Sequence, residues 1–470
     1  MPTTKTPLYI PFSDVCRTLF INIPDAMREA TYRALTRLER EVGDVDAYVA
    51  AKLNYCHTQC GEDEFKEGLR TLCSAFANEQ VDALALAIRN YEDRGGSGVI
   101  IADQAGIGKG RSQPLDSQIL TPFGFKKMGE IKMGEKVISQ DGPPTDVIGI
   151  YPQGKIDVYE ILFSDGSKTQ CSADHLWVTR NKQQKFYEKI HPNYLWGKYK
   201  IFETKELMKS NKIKAQYSIP LVSPIEFNYK KVPIDPYLLG VLLGDACLRK
   251  KSIELTCNDD EILQSVQRLM TSGLKTRKIR HQHYQLTKGM GGRSNNLLDC
   301  IRYLDLAGKV ANSKFIPELY KINSPAVRLA ILQGLMDTDG YVNSKGSCMY
   351  YTVSSQLASD IDFIVRSFGG TTTRGIKKGK YKNKNKEIIH CQDCHIVYIK
   401  MPNGMNPFRL IRKANRVKDY IKYFPQRIIR SIKYIGKKEC QCIKVSHPSS
   451  LYVTDDFIVT HNTISGMIKY

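Results

Sequence analysis

The chain has 470 residues, 42% of them hydrophobic, which is ample for two to four cored domains. No apolar run reaches 18 residues and the N-terminus, MPTTKTPLYIPFSD, has no apolar signal core, so neither a membrane span nor a secretory leader is expected and the chain reads as soluble and intracellular. The net charge is +21 and uneven: residues 1–111 hold 13 basic and 16 acidic side chains and the last eight a single lysine, which leaves +23 for residues 112–462. A like-charge excess of that size is the footprint of a polyanion, with nucleic acid the first candidate.

The 13 cysteines lack the spacing of a small disulfide scaffold, which suits a reducing compartment. Cys391-Gln-Asp-Cys394-His395 has the shape of a redox or haem-attachment motif, and Cys440-Gln-Cys442 lies near the end. Without supporting features in a cytosolic chain, both pairs also read as ordinary thiols.

Residues 24–94 carry apolar positions at three- and four-residue spacing and are predicted helical. A short apolar run, Val99-Ile100-Ile101-Ala102, then enters a glycine-rich segment with Gly106, Gly108 and Lys109. Strand, glycine loop and lysine in that order form the syntax of a phosphate-binding loop, whose backbone N–H groups cradle phosphates while the lysine reaches the outer ones. A hydroxyl residue and a helix should follow. The chain instead meets Ser112-Gln113-Pro114, where the proline blocks a helical continuation.

From there to about residue 180 short alternating stretches closed by glycine turns predict an all-β unit. Helical and mixed patterns occupy 235–345 and 355–424, and β texture returns in KYIGKKECQCIKV and SLYVTDDFIVTHN. Only then comes Thr463-Ile-Ser-Gly-Met-Ile-Lys-Tyr. Joining Arg111 to Thr463 restores strand, loop, hydroxyl and helix, so two halves of one motif lie 351 residues apart.

Ser112-Gln-Pro-Leu-Asp116 with ILTPFGFKKMGEIKMGEKV resembles the N-terminal block of inteins, and Cys171-Ser172-Ala173-Asp174-His175 resembles their second block, with Ser172 at the usual Thr position. Leu451 to Asn462, followed by Thr463, resembles their two terminal blocks. The resemblance implies autocatalytic protein splicing. Ser112 attacks the Arg111 carbonyl to give an ester, with His175 protonating the leaving nitrogen and Ser172 in the same pocket. Thr463 takes over the N-terminal segment, and Asn462 cyclises to a succinimide, with His461 polarising its carbonyl. Cys442 and Leu451 stand where many inteins carry a helper Asp and a His, and Cys442 is a candidate proton-handling group.

Between these blocks lie two related nonamers, Leu238 to Ala246 and Leu332 to Gly340, with an acid in the eighth place of each, Asp245 and Asp339. They resemble the motif of LAGLIDADG (DOD-type) homing endonucleases. The resemblance implies paired helices meeting at a glycine, two carboxylates holding divalent metal, and Lys314 and Lys413 acting on phosphorane charge or the attacking water. Two copies imply a pseudo-symmetric monomer that hydrolyses double-stranded DNA with Mg2+. The basic run Lys377 to Lys386 reads either as a hairpin on the phosphate backbone or as a solvated loop.

The flanks resemble a strawberry-notch-like, superfamily-two helicase or ATPase of a type seen in phages. Phe76 and Gln80 match its adenine-reading motif, and Lys109 meets the phosphates. Thr463 would bind magnesium only after splicing.

The expected fold is therefore multidomain. Host segments occupy 1–111, mainly helical, and 463–470. An all-β, horseshoe-like Hint (hedgehog/intein) splicing domain is split into 112–225 and 426–462. An α+β pseudo-symmetric endonuclease occupies 226–425. Mg2+ is expected for the endonuclease, no cofactor for splicing, and ATP with Mg2+ for the joined host alone. The setting implied is the cytoplasm of a bacterial or phage-infected cell, with no membrane partner. The competing reading is a permanent DNA-binding insertion in a helicase with an inactive nuclease; such an insertion has no need of Ser at its start and His-Asn-Thr at its end.

Overall fold

The computed structural model describes residues 10–11, 13–16, 25–53, 62–76, 78–93, 112–182, 199–209, 216–248, 252–270, 274–287, 296–382, 388–390, 392–419 and 425–461. They fall into two compact units, 10–93 and 112–461, each taken by itself below. Among the described residues no helix is long and apolar enough to cross a membrane.

The first unit holds four helices, Asp25–Val42, Val45–Lys52, Glu62–Ala75 and Asn78–Asp93. Their apolar stripes meet in a core of Leu35, Leu38, Val49, Leu72, Val81, Ala85 and Ile88. Asp44 opens the second helix by accepting from the Ala47 N–H. The structure corrects the expectation of uniformly reduced thiols: Cys16 and Cys73, 57 residues apart, form a disulfide with their Cα atoms 4.8 Å apart. The chain just before that bridge is held by Ser13, whose N–H donates to Asp82 (2.8 Å) and whose hydroxyl donates to Asp46 (2.5 Å).

The second unit begins and ends in β-structure. Two long strands, Pro144–Phe163 and Arg427–Val445, run antiparallel from Ile429↔Phe163 to Val445↔Val147. Gln113–Pro114, Lys136–Ile138, Lys168–Ser172 and Ser218–Ile219 complete that sheet. A second sheet has the order Ile458–His461, Leu451–Thr454, Gln118–Thr121, Gly124–Lys127. Strands that follow residue 112 thus pair with strands that precede residue 462: Gln113 with Gln441, and Ile119 with Thr454.

Between the two β segments the chain builds a helix, four strands and intervening helices, and then does so again. Helix Pro236–Asp245 runs directly into the sheet Ala246–Cys247, Ile253–Thr256, His283–Thr287, Lys275–Arg280. Helix Pro325–Asp339 runs directly into Gly340–Val342, Cys348–Thr352, Cys394–Lys400, Thr371–Lys377. Both sheets place the first, second, fourth and third strand side by side. Asp235 accepts from the Tyr237 and Leu238 N–H groups, and Pro236 sits at the first helical position, so the start of the first helix is written locally. Almost every face of both helices is buried, which matches their continuous apolar sequence.

Candidate functional site

Ser112 is fully buried. Its backbone N–H donates to Ser172 Oγ at 3.1 Å, and its carbonyl accepts from the Ser172 N–H at 3.0 Å. Ser172 lies at the end of Lys168–Ser172, so sheet register brings two residues 60 apart into a two-point clasp. The Ser112 hydroxyl has no hydrogen-bond partner of normal geometry among the described residues and lies beside the Cys440 thiol, so the clasp fixes its backbone. Gln113 is locked by Tyr452 OH (2.8 Å) onto its carbonyl and by its own amide donating to Thr454 Oγ1 (3.1 Å) and Thr169 Oγ1 (3.2 Å).

The fully buried His175 ring sits edge-on to Trp177, with centroids 5.2 Å apart, and its Nε2 bonds the Thr460 hydroxyl. Thr460 precedes His461, itself buried at the end of the last strand. The structure thus joins Ser112 to Ser172 and His175 to the residue before His461. Gly106, Gly108, Lys109, Arg111, Asn462 and Thr463 lie outside the described residues, as does Cys391. Gln80 is half-buried in the first turn of Asn78–Asp93, and Phe76 packs on the helical core.

Two neighbours of the pocket escape sequence reasoning. Thr460 carries no local signal, since only tertiary pairing aims it at His175. Cys440 has one: it shares a strand face with Cys442 and pairs in register with Pro114. Burial pushes the Cys440 thiol up to about 11, opposed by the nearby Ser112 hydroxyl, so it stays a thiol at neutral pH. Cys442, the residue singled out from sequence, is buried on the same strand.

The two nonamer helices touch at Gly240 and Gly334. A Cβ on Gly240 would lie 2.3 Å from the Ile331 carbonyl oxygen and 2.9 Å from the Gly334 Cα, and one on Gly334 would lie 2.2 Å from the Tyr237 carbonyl oxygen. Only glycine permits that approach. Gly240→Ala or Gly334→Ala is therefore expected to lower stability by about 2–3 kcal/mol through forced separation of the helices. Gly375→Ala, whose Cβ meets Tyr398 at an ordinary 3.5 Å, is expected to change it little. Thermal unfolding of the three variants against the parent checks this.

Side by side, the helices end on Asp245 and Asp339. Asp245 is half-buried and Asp339 opens to solvent, although protein atoms crowd around both. Burial, then the Asp339 charge, pushes Asp245 up to about 6; burial also raises Asp339, with Lys314 and Lys413 opposing. Lys314 Nζ donates to the carbonyls of Leu243 (2.7 Å), Ala246 (2.8 Å) and Gly244 (3.2 Å), while Lys413 Nζ donates to those of Asp337 (2.7 Å), Gly340 (2.7 Å) and Met336 (3.1 Å). Each lysine caps one helix C-terminus with its three N–H bonds and acts on the carboxylates by charge. Asp337, the extra acid of the second nonamer, is a strut: it accepts from Tyr237 OH (2.8 Å) and the Arg409 and Leu410 N–H groups (3.2 Å). The buried Tyr350, which nothing in the sequence marks, lies beside Asp339 and opposes the rise of its carboxyl. Among the described residues no three His, Cys, Asp or Glu side chains converge as a metal cluster. Asp245 and Asp339, two mutually repelling carboxyls at adjacent helix ends, would hold a divalent cation together with water.

Lys275, Arg277, Lys278 and Arg280 are exposed on one sheet and Lys377, Lys378 and Lys380 on or beside the other. Part of the basic run is a hairpin, with Lys380–Lys382 paired to Ile388–His390; residues 383–387 lie outside the described residues.

Residues 326–420 match the family model of a LAGLIDADG-like domain, which takes in the second nonamer and Lys413. The chain is similar to a replicative DNA helicase DnaB of Mycobacterium intracellulare, 24% identical over 389 residues that make up 78% of this chain and 61% of that protein. It is similar to the homothallic switching endonuclease of Saccharomyces cerevisiae, 25% identical over 186 residues, 34% of this chain and 32% of that one. The chain thus spans about three fifths of the first relative and a third of the second. Among solved structures it is similar to a variant of the gp41-1 intein, 11% identical over 75% of this chain and 98% of that one, at a TM-score of 0.22, too low to carry a topological argument.

Proposed function

We propose that residues 112–462 form an intein that excises itself and joins Arg111 to Thr463, and that residues 226–425 within it form a pseudo-symmetric homing endonuclease. Segments 112–225 and 426–462 are its horseshoe-like splicing domain, and 1–111 and 463–470 belong to the interrupted host. One observation supports this reading: Ser112 is clasped by Ser172, whose carbonyl accepts from the His175 N–H, and His175 in turn bonds Thr460 on the strand that ends at His461.

The chemistry follows from that arrangement. Ser112 Oγ attacks the Arg111 carbonyl through a five-membered ring, and burial keeps bulk water from competing for the ester. The leaving nitrogen is the Ser112 N–H already held by Ser172, and His175 supplies the proton that nitrogen needs. Thr463 attacks the ester, and Asn462 closes on its own carbonyl while His461 polarises it. The final ester becomes an amide because the new amine is adjacent and the amide is more stable.

In the nuclease part Asp245 and Asp339 would hold the metal, which when bound would supply Lewis-acid chemistry toward a phosphate group. Lys314 and Lys413 tie down the helix ends that carry the carboxylates, and their charge opposes the rise that burial imposes on both carboxyls. The exposed basic strands suit the phosphates of double-stranded DNA. Magnesium is the cation this reading assigns, and a single chain suffices because both carboxylates lie on it.

For the host, an ATP-binding helicase is the reading that Gly106, Gly108, Lys109 and Gln80 support, with Thr463 completing the loop after joining. Its strawberry-notch-like character rests on Phe76 and Gln80; the helicase relative that the chain matches is of the DnaB kind.

Intact-mass measurement of the expressed chain tests the reading. A 119-residue joined product and a free 351-residue insert are expected. Full-length mass persisting through prolonged incubation would sink it.

A further inference from the structure

The strand that ends at His461 is launched by a turn held from two sides. Asp456 and Phe457 have φ of +54° and +59°, and neither is glycine. Side chains in that region cost energy and persist only where surroundings hold them. Within the β unit, Arg427 donates to the Phe457 carbonyl (2.8 Å) and the Asp456 carbonyl (3.1 Å), and the Lys168 N–H reaches Asp456 Oδ2 (3.3 Å). Arg427 is anchored by Asp165 at 2.9 Å in a pair 1% and 3% exposed.

The other side comes from the segment that matches the LAGLIDADG-like domain. On helix Ser355–Ser367, Arg366 donates to Asp456 Oδ1 at 2.5 Å and to the Asp165 carbonyl at 3.5 Å. One turn earlier, Phe363 meets Phe457 edge-on at 4.8 Å and Phe125 at 6.1 Å. The surrounding seam is tight. The Ile225 N–H donates to the Ser367 carbonyl (2.9 Å), Arg328 bonds both Ser367 and Ile225, and a Cβ on Gly369 would lie 2.1 Å from the Val222 carbonyl oxygen.

We infer that Arg366, with Phe363 behind it, is a positioning residue for the C-terminal splicing step. The DNA-cutting part holds the Asp455–Phe457 turn and with it strand Ile458–His461, the last described strand before the C-terminal junction. The inference rests on reading 112–462 as self-excising. It singles out one of the two cleavages: Arg366 bonds Asp456, whereas Ser112 is held by Ser172 and its neighbour Gln113 by Tyr452, and the turn reaches that side through Asp455, which accepts from the Gln118 N–H (2.7 Å) and Thr169 Oγ1 (2.6 Å).

The test is a time course on the full chain, with the C-terminal step followed by intact mass and the ester at Arg111 by hydroxylamine cleavage. Arg366→Met keeps the apolar stem and removes the charge-assisted bond; cleavage after Asn462 is expected to slow about tenfold. The hydroxylamine-sensitive ester should accumulate and DNA cleavage should stay within about twofold of the parent. Arg366→Lys should restore part of the rate. Asp456→Asn should reproduce the defect, and the double variant should be no worse than the single ones, as expected for partners in one interaction. Parent-rate release in Arg366→Met overturns the inference. Equal loss of ester formation and release, with a lowered melting temperature, also overturns it and reduces the seam to a fastener. A parent chain that stays at full mass sinks the splicing reading itself, and that is seen before any variant is made.

Discussion

With Ser112 replaced by alanine, no joined product is expected and hydroxylamine should release nothing after Arg111, while slow cleavage after Asn462 should continue. The nucleophile is the group removed, and a methyl cannot form the ester on which Thr463 must act. The loss should be on the order of a thousandfold or more, as for other acyl transfers stripped of their nucleophile. Asn462→Ala gives the mirror image: the insert stays attached to the C-terminal segment, yet the ester at Arg111 still forms and hydroxylamine exposes it. The pair separates because each side chain acts on a different bond, Ser112 on the Arg111 carbonyl and Asn462 on its own. Ser112→Ala chains that yield joined product at the parent rate would remove Ser112 from its role.

The proposed junction chemistry is read from residue type and place: on that reading a hydroxyl follows the first carbonyl to be cleaved, and an amide side chain followed by another hydroxyl sits at the second. The nonamers were legible for a steric reason, since Gly240 and Gly334 stand where a methyl would strike a carbonyl. The helical reading of 24–94 and the β texture after residue 112 followed from apolar spacing, and the described helices and strands there agree. What stayed hidden depends on partners far apart in the chain. Thr460 meets His175 across 285 residues, and Arg366 meets Asp456 across 90. The Cys16–Cys73 bridge escaped because spacing rules for small disulfide scaffolds do not describe one bridge in a helical unit. Lys314 and Lys413 were found, but reading them as groups aimed at phosphate overlooked the carbonyls a helix end leaves open to an ammonium.

Asp245→Asn or Asp339→Asn is expected to abolish double-strand cleavage of DNA that carries the uninterrupted host sequence, by about three orders of magnitude or to background, and to leave DNA binding intact. A carboxamide keeps the shape and loses the charge, and a divalent cation bound through two carboxylates and water tolerates that loss poorly. Binding draws instead on exposed lysines and arginines of the two sheets, which the substitution does not touch. Splicing should proceed at the parent rate in both variants, because the carboxylates lie at the helix ends and make no bond to the turn that Arg366 holds. The carboxylates also set the pH response. Burial and mutual repulsion raise Asp245 to about 6, so without metal its proton is favoured below that pH and lost above it. Cleavage should therefore fall as pH drops through about 6, and added magnesium should move the midpoint lower by competing with the proton. The measurement is cutting of a plasmid bearing the joined codons for GIGKGRTISG against one bearing the interrupted site, across pH and magnesium. Equal cutting of both plasmids, or undiminished cutting by Asp339→Asn, would take the paired carboxylates out of the reaction.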